Sequence, residues 1–542
     1  MEVPPWWRLW IPPLTRSDAE AAEPRQPARP WMIAASVMLA TFMVVLDSSV
    51  ANVALPHIAG NLSASTDEST WILTSYLVSN AIMLPATGWL TRRIGRKRLL
   101  MASILLFTFA SMLCGLAVNM PMLILARILQ GLGGGGMLPL AQAILLESFP
   151  PERHGMAMAV YGVGVVVAPV IGPTLGGWIT DSFTWRWIFF INLPVGLVAL
   201  AMAQTFIEDP SYLKRAARGA IDALGFLFMA LWVGALQMIL DKGQEADWFE
   251  ATWIRWLGVL AVAALIAFLY RESRHPEPIV HLRVFRDRSF TTGAIMATVN
   301  TCVLYGVTAM LPLFLQLLMG YPALQSGLAV SPRGFGSILS MVVVGRLADR
   351  VDGRILVAVG CAVLGTSALL LGRITLDMSM ATVVWPNILN GFASGFIFVP
   401  LITMSMSRLP REEIGNAAGI YNLMRNLGGS IGIASIMTLL VRGTQAHRSV
   451  LVAHLVPGNP VLAQWLGGLE AKLAGPGGLG AADAPSRALA LLDRLVQQQA
   501  SYAAYVDNFR MLGLLALLCI PLVLLFRKAV RKPGAGSASV AE

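Results

Sequence analysis

Apolar residues in this chain come in long unbroken runs. They do not show the alternation of a half-buried strand or the one-sided stripe of a soluble helix. The runs cover about residues 31–55, 70–90, 98–118, 121–146, 155–178, 186–207, 219–240, 253–270, 290–318, 324–346, 354–373, 381–407, 414–441 and 510–527. Most approach the ~20 residues that a bilayer-spanning helix needs. The Gly and Pro within them are no obstacle, because membrane helices tolerate both. The pattern predicts an all-α membrane protein with fourteen spanning helices.

Basic residues orient these spans. The turns that follow even-numbered runs hold clusters such as Arg92, Arg93, Arg96, Lys97 and Arg98, or Lys214, Arg215 and Arg218. With the two termini, that side carries roughly 27 Lys and Arg, against about 4 in the short loops of the other side. Even-numbered exits and both termini are therefore expected in the cytoplasm. The segment 442–509 is too long for the charge rule and is placed outside.

Composition changes the reading of the charge. The chain is 56% hydrophobic and 13% charged, with mean hydropathy +0.66. A net charge of +10 would suggest nucleic acid in a soluble protein, but here it reports topology, and no nucleic-acid partner is expected. Cys114, Cys302, Cys361 and Cys519 lie in or beside apolar runs without metal or disulfide spacing, and the six histidines show no ligand spacing. The first 30 residues, rich in Pro, Arg and acids, do not resemble a cleavable signal.

The chain also looks duplicated. Gly88-Trp89-Leu90-Thr91-Arg92-Arg93-Ile94 closes the second run, and Gly345-Arg346-Leu347-Ala348-Asp349-Arg350-Val351 closes the tenth. The expected division is a tail 1–30, a six-helix bundle 31–207, an inserted pair of helices in 208–289, a second six-helix bundle 290–530 with the external segment 442–509, and a tail 531–542. Parallel six-helix halves are a known transporter plan.

Within this frame Asp47 stands out. A charged carboxylate at that depth costs about 3 kcal/mol or more, so it is a functional candidate. Arg127, in the fourth run, costs as much. Asp47 lies ~24 Å up from the cytoplasmic end of its span and Arg127 ~9 Å down from the outer end of its own, at 1.5 Å per residue. In a core about 30 Å thick, that puts both at a similar level. Whether their helices touch is not legible at this stage. If the two separate in one conformation, the proton affinity of Asp47 changes with the conformation. Arg333 and Arg425 also lie in apolar runs, with no acid at comparable depth. They are expected either to bond backbone carbonyls or to hold an anionic group of a substrate. No Gly-x-x-x-x-Gly-Lys-Ser/Thr loop for ATP is present, which favours an ion gradient as the energy source. No convergent His, Cys or acid cluster suggests an enzyme or a metal site.

The segment Leu46 to Pro56, the Gly172-Pro173-Thr174-Leu175-Gly176-Gly177 run, Trp185 to Gly196, Leu240-Asp241-Lys242-Gly243, Leu311 to Gln316 and Arg425 to Ser430 together resemble the 14-helix drug:proton antiporters of the major facilitator superfamily, the EmrB/QacA-type multidrug exporters, and most of all the EmrB type. The resemblance covers about residues 31–530. It implies a 6+2+6 major facilitator fold and proton-driven export of amphiphilic toxic compounds by alternating access from a bacterial inner membrane, without a cofactor other than the coupling proton. It implies proton-coupling roles for Asp47 and Arg127. Conformational roles fall to Gly88, Arg92, Arg93, Gly95, Arg96, Gly172, Pro173, Gly176, Gly177, Asp349 and Arg350. Substrate contacts fall to Asn52, Gln130, Gln316, Arg333, Asn422 and Arg425. An EmrA-like periplasmic adaptor and an outer-membrane channel are the implied partners. Export of one endogenous anion, such as a fatty acid or a siderophore, is the alternative; a membrane-embedded enzyme and a channel are less consistent with the pattern.

Two departures stand out. Arg92 occupies a position that the family usually gives to Asp, a residue that Asp349 keeps in the second copy. Asn387 stands where Arg127 stands in the first half, so proton coupling is expected in the first half only. Amphipathic stretches at 461–473 and 486–505 need an apolar partner: the protein's own outer surface, a lipid interface or the adaptor.

Overall fold

The computed structural model describes residues 29–209, 222–275, 278–348, 350–456, 459–474 and 483–526. Asp349, the tails 1–28 and 527–542, and the basic cluster at 214–218 lie outside the described residues.

The described chain is a helical bundle. Its long helices are α1 (Pro30–Asn61), α2 (Thr66–Ile94), α3 (Arg96–Gly115), α4 (Met120–Ser148), α5 (His154–Ser182), α6 (Trp187–Phe206), α7 (Ala223–Lys242), α8 (Thr252–Arg274), α9 (Arg288–Leu318), α10 (Gln325–Leu347), α11 (Gly353–Leu371), α12 (Met380–Met406), α13 (Arg411–Ala453) and α14 (Ala484–Leu522). Among the described residues thirteen of these are long and apolar enough to cross a membrane. The fourteenth is α2, 29 residues long but studded with Ser, Thr and Asn. It tolerates them because it packs between helices rather than against lipid: it contacts α4, α13 and α7.

Local chemistry sets the helix starts. Ser65 and Glu68 form a reciprocal capping box at α2, the Ser65 hydroxyl accepting from the Glu68 N–H at 3.2 Å and the Glu68 carboxylate from the Ser65 N–H at 2.9 Å. Asn119, Asp222, Asp287 and Asp352 cap α4, α7, α9 and α11 through their side-chain oxygens. Gly95 makes the α2–α3 turn at φ +87°, in the left-handed region that favours glycine.

Glycines bring helices together where function needs it. A Cβ at Gly172 would lie 2.6 Å from Ser49 Cβ, and one at Gly176 3.0 Å from Val50, so α5 lies directly against α1. Gly177, on another face, meets nothing within 4 Å. In α4 the run Gly131–Gly135 sits against α2 and α3: Cβ atoms at Gly133 and Gly135 would come within 2.6 Å of the Phe107 nitrogen and 2.5 Å of the Asn80 carbonyl oxygen.

The segment 442–509, expected outside, is more helical than an inter-span loop. α13 continues past the expected end at 441 to Ala453, and α14 starts at Ala484, well before 510. Both extensions are rich in Ala, Leu, Gln and Arg and largely free of helix breakers. They pair through His447–Asp507 (2.8 Å) and Arg448–Asp493 (2.6 Å), with a further helix, Pro460–Ala474, packed on α14.

Gly172→Val is expected to lower thermal stability and the yield of monodisperse protein, whereas Gly177→Ala leaves both near wild type. Fluorescence-detected gel filtration with heating distinguishes them, and equal sensitivity at both positions would contradict the α1–α5 contact.

Candidate functional site

Asp47, on α1, has an ordinary accessibility of 2%, and Arg127, on α4, is fully buried. The two helices meet: Arg127 Nη1 donates to Asp47 Oδ2 at 2.6 Å. The other carboxylate oxygen accepts from Gln130 Nε2 at 2.8 Å and Asn192 Nδ2 at 2.7 Å. Arg127 also donates from Nη1 to Gln130 Oε1 at 2.7 Å and from Nε to the Ile72 carbonyl of α2 at 3.1 Å. Its guanidinium carbon lies 4.2 Å from the centre of the Tyr76 ring, a cation–π contact in a desolvated site. Asn192 extends the network to the Ser111 hydroxyl at 3.0 Å, which donates to the Phe189 carbonyl at 2.8 Å.

This arrangement matches an ionised carboxylate. Asp47 faces three N–H donors, and a proton on either oxygen would point at a donor rather than an acceptor. Protonation would therefore disturb α4 and α6 as well as α1. Arg127 Nη2 is buried without a hydrogen-bond partner among the described residues.

The other expected residues separate into groups. Gln130, expected at a substrate, is sealed into the carboxylate network, because its spacing of three residues from Arg127 puts both on one helix face. Asn422 donates to Gln142 of α4 at 2.6 Å and so joins the two halves. Asn52 is exposed, and Gln316 lies in a π-helical turn at Phe314–Leu318, donating to Ser326 at 3.3 Å; neither reaches Asp47 in a hydrogen bond. Arg333 donates to the Thr308 hydroxyl, not to a carbonyl. Arg425 lies over the Phe398 ring at 5.0 Å, and Phe398 stacks on Tyr161. Neither arginine forms an ion pair among the described residues. Asn387, the second-half counterpart of Arg127, donates to the Ala329 and Val330 carbonyls at 3.1 and 2.7 Å. Sequence reasoning missed Asn192 and Ser111. The available signal was a lone amide, Asn192, within an otherwise apolar run.

At the arginine-rich end the halves are latched. A Cβ at Gly88 would lie 2.6 Å from Asn416 Cα of α13. Arg92, in the place of the usual acid, donates from Nη2 to the Pro278 carbonyl at 3.0 Å. This ties the segment before α9 to α2, and the same segment is tied to α13: Asn416 exchanges hydrogen bonds with the backbone of His281, each at 3.2 Å, and the His281 ring meets Glu413 at 3.4 Å. Arg96 pairs with Glu147 at the end of α4, and Lys97 N donates to Asp209 at 2.9 Å. Arg93 lies 5.9 Å from the Trp89 ring centre. Arg350 is exposed. At the opposite end α7 bridges the same seam: Asp241 and Lys242 reach Thr74 and Thr70 of α2, while Gln237 and Trp248 reach Ser430 and Thr438 of α13 at 2.7 and 2.9 Å.

The sequence profile of the Major Facilitator Superfamily matches residues 37–433. The chain is 38% identical over 447 residues to the multidrug export protein EmrB of Haemophilus influenzae, covering 82% of this chain and 87% of that one. It is 37% identical over 440 residues to EmrB of Escherichia coli K12 (81% and 85%) and 35% identical over 501 residues to the fatty acid resistance protein FarB of Neisseria gonorrhoeae (92% and 97%). The chain belongs to the major facilitator superfamily, and within it to the EmrB type. The fold agrees: the human organic anion transporter MFSD10 (TETRAN) superposes with a TM-score of 0.58 at 14% identity, covering 91% of this chain and 100% of that one. In this superfamily setting the 6+2+6 order places Asp47, Arg127 and Asn192 in one half, and the latch between the halves.

Two expectations follow from the geometry. Arg127→Ala leaves Asp47 buried without its cation, a change worth about 3–5 kcal/mol when a buried pair is broken. Thermal unfolding should show a large loss, and Arg127→Lys, which keeps the charge but not the fork, should recover part of it. An Ala variant as stable as wild type would contradict the pairing.

The latch gives a pH dependence. Burial first, then the neighbouring Arg92, pushes His281 below the ordinary histidine range, with Glu413 opposing. A histidine held below its unfolded value contributes stability above pH ~6.5 that is lost as pH falls through the folded value. The stability advantage of wild type over His281→Gln should therefore shrink between pH 7.5 and 5.5. Melting curves across that range test it, and a constant or growing difference contradicts it.

Proposed function

We propose that this chain is a proton-driven exporter of amphiphilic compounds in a bacterial inner membrane, with both termini cytoplasmic, and that Asp47 carries the coupled proton. One observation carries the reading: a sealed carboxylate matched to three donors from two other helices. A proton taken by Asp47 removes the match, and the network must rearrange before the proton leaves. That links protonation to helix movement. The names of the EmrB relatives support export of several compounds, and the dominance of basic residues at one end supports the orientation.

The charge of the core bears on the substrate. Asp47 and Arg127 offset one another, while Arg333 and Arg425 form no ion pair among the described residues. This favours neutral, weakly acidic and monocationic amphiphiles over dications, and the FarB relative's association with fatty acids points the same way. The projecting helices of 442–509 carry exposed Val450, Leu451, Val461, Trp465, Leu489 and Leu495. An apolar surface outside the membrane suits docking of an EmrA-like periplasmic adaptor leading to an outer-membrane channel.

Purified protein in liposomes with an acidic lumen should accumulate a monocationic dye when the pH gradient is imposed. Asp47→Asn, monodisperse and correctly inserted, should lose at least about tenfold of that gradient-driven uptake. Uptake by the Asn variant at the wild-type rate would exclude Asp47 as the proton carrier, and wild-type uptake indifferent to the gradient would exclude proton coupling itself.

A further inference from the structure

Away from the buried pair and the latch, α7 and α8 enclose a groove of about 490 Å³ lined by Phe228, Ala267, Tyr270, Arg271, Arg274 and His275. Its position relative to the bilayer follows from α8. Trp253 and Tyr270 are both exposed on that helix, 17 positions apart, which is about 26 Å at 1.5 Å per residue. Exposed aromatic residues at such a separation mark the two membrane–water interfaces. Phe228 and Ala267 therefore lie at acyl-chain depth, and Arg271, Arg274 and His275 at the level of lipid headgroups, on the arginine-rich side.

The two arginines are held differently. Arg271 gives Nε to Asp222 Oδ1 at 2.6 Å, while its side chain stays about one-third exposed, at 32%. Asp222 thus orients the guanidinium of Arg271, which lines the groove and stays partly exposed. Arg274 is exposed and lies with its guanidinium carbon 4.6 Å from the Tyr270 ring centre. It forms no ion pair among the described residues. Among the described residues the other acid beside the groove, Glu272, is buried and accepts from the Val280 N–H, so it forms no ion pair with Arg274. The result is an apolar floor in the membrane beneath a cationic rim with two guanidiniums. Guanidinium forks match phosphate oxygens in a bidentate manner, and basic pockets between membrane helices on the cytoplasmic side suit anionic lipid headgroups.

We propose that this groove is a binding site for an anionic phospholipid, its phosphate held by Arg271 and Arg274 and an acyl chain laid along Phe228 and Ala267. The site also has a structural consequence. Among the helices α8 packs chiefly on α7, so a lipid filling the groove between them fastens the inserted pair.

The test uses the full-length protein in nanodiscs with trace phosphatidylglycerol or phosphatidylcholine carrying a photoreactive acyl chain, and maps adducts by peptide mass spectrometry. Phosphatidylglycerol should label the Phe228 and Ala267–Tyr270 peptides at least tenfold more than phosphatidylcholine of the same chains. Arg274→Gln should reduce that labelling several-fold, with labelling elsewhere unchanged, and Arg274→Lys should recover part of it. Millimolar inorganic phosphate should not compete. Equal labelling by the two lipids, no change in Arg274→Gln, or full competition by phosphate would each overturn the proposal, the last by making the groove a free-anion site.

Discussion

The desolvation of Asp47 and Arg127 constrains much of the first half. Either ion alone in the bilayer core costs about 3 kcal/mol or more, so each must reach the other and find further hydrogen bonds. Three helices are bound by that need. α1 supplies the carboxylate, α4 supplies Arg127 and Gln130, and α6 supplies Asn192, while α2 gives the Ile72 carbonyl to Arg127. The glycine run 131–135 follows from the same requirement. α4 can hold a full guanidinium against the Tyr76 ring because Gly131, Gly133, Gly134 and Gly135 put no side chain between it and α2 and α3.

The second half meets a different requirement. Asn387 uses a neutral amide to bind two backbone carbonyls, so the position matching Arg127 carries no charge in need of an acid. The two halves differ in their electrostatics at matching positions. The latch shows a related substitution. With Arg92 in place of an acid, a carbonyl is the natural partner, and the segment before α9 provides it at Pro278. The inserted region thereby becomes part of the contact between halves instead of a passive connection.

Much of this was legible in the chain because the bilayer imposes a coarse, one-dimensional rule. Run length gave the helices, and the depth of Asp47 and Arg127 could be counted in residues. Contacts between helices obey no such rule. Nothing in the spacing of Asn192 or Ser111 shows which neighbour each faces, and Gln130 looked as suitable for a substrate as for the carboxylate. The amphipathic stretches at 461–473 and 486–505 are helices, but the continuation of α13 to 453 and the fusion of 486–505 with the last span were missed, because hydropathy stops at the membrane surface while helix propensity does not. α7 reads as a lipid-facing span in its apolar run. Its polar residues, Gln237 and Asp241, acquire meaning only when α2 and α13 lie on either side.

The site and the latch share one element. Ile72, whose carbonyl accepts from Arg127, and Gly88, which packs on Asn416, lie on the same helix, 16 residues or about 24 Å apart. Between them Pro85 interrupts the hydrogen-bond ladder, and Gly419 of α13 packs on the Leu84 carbonyl at that level. A shift of Arg127 away from Asp47 changes a bond to one end of α2, and the other end holds the two halves together. α2 therefore connects the buried pair physically to the contact between the halves. This is a physical route for coupling, and it needs no charge in the second half.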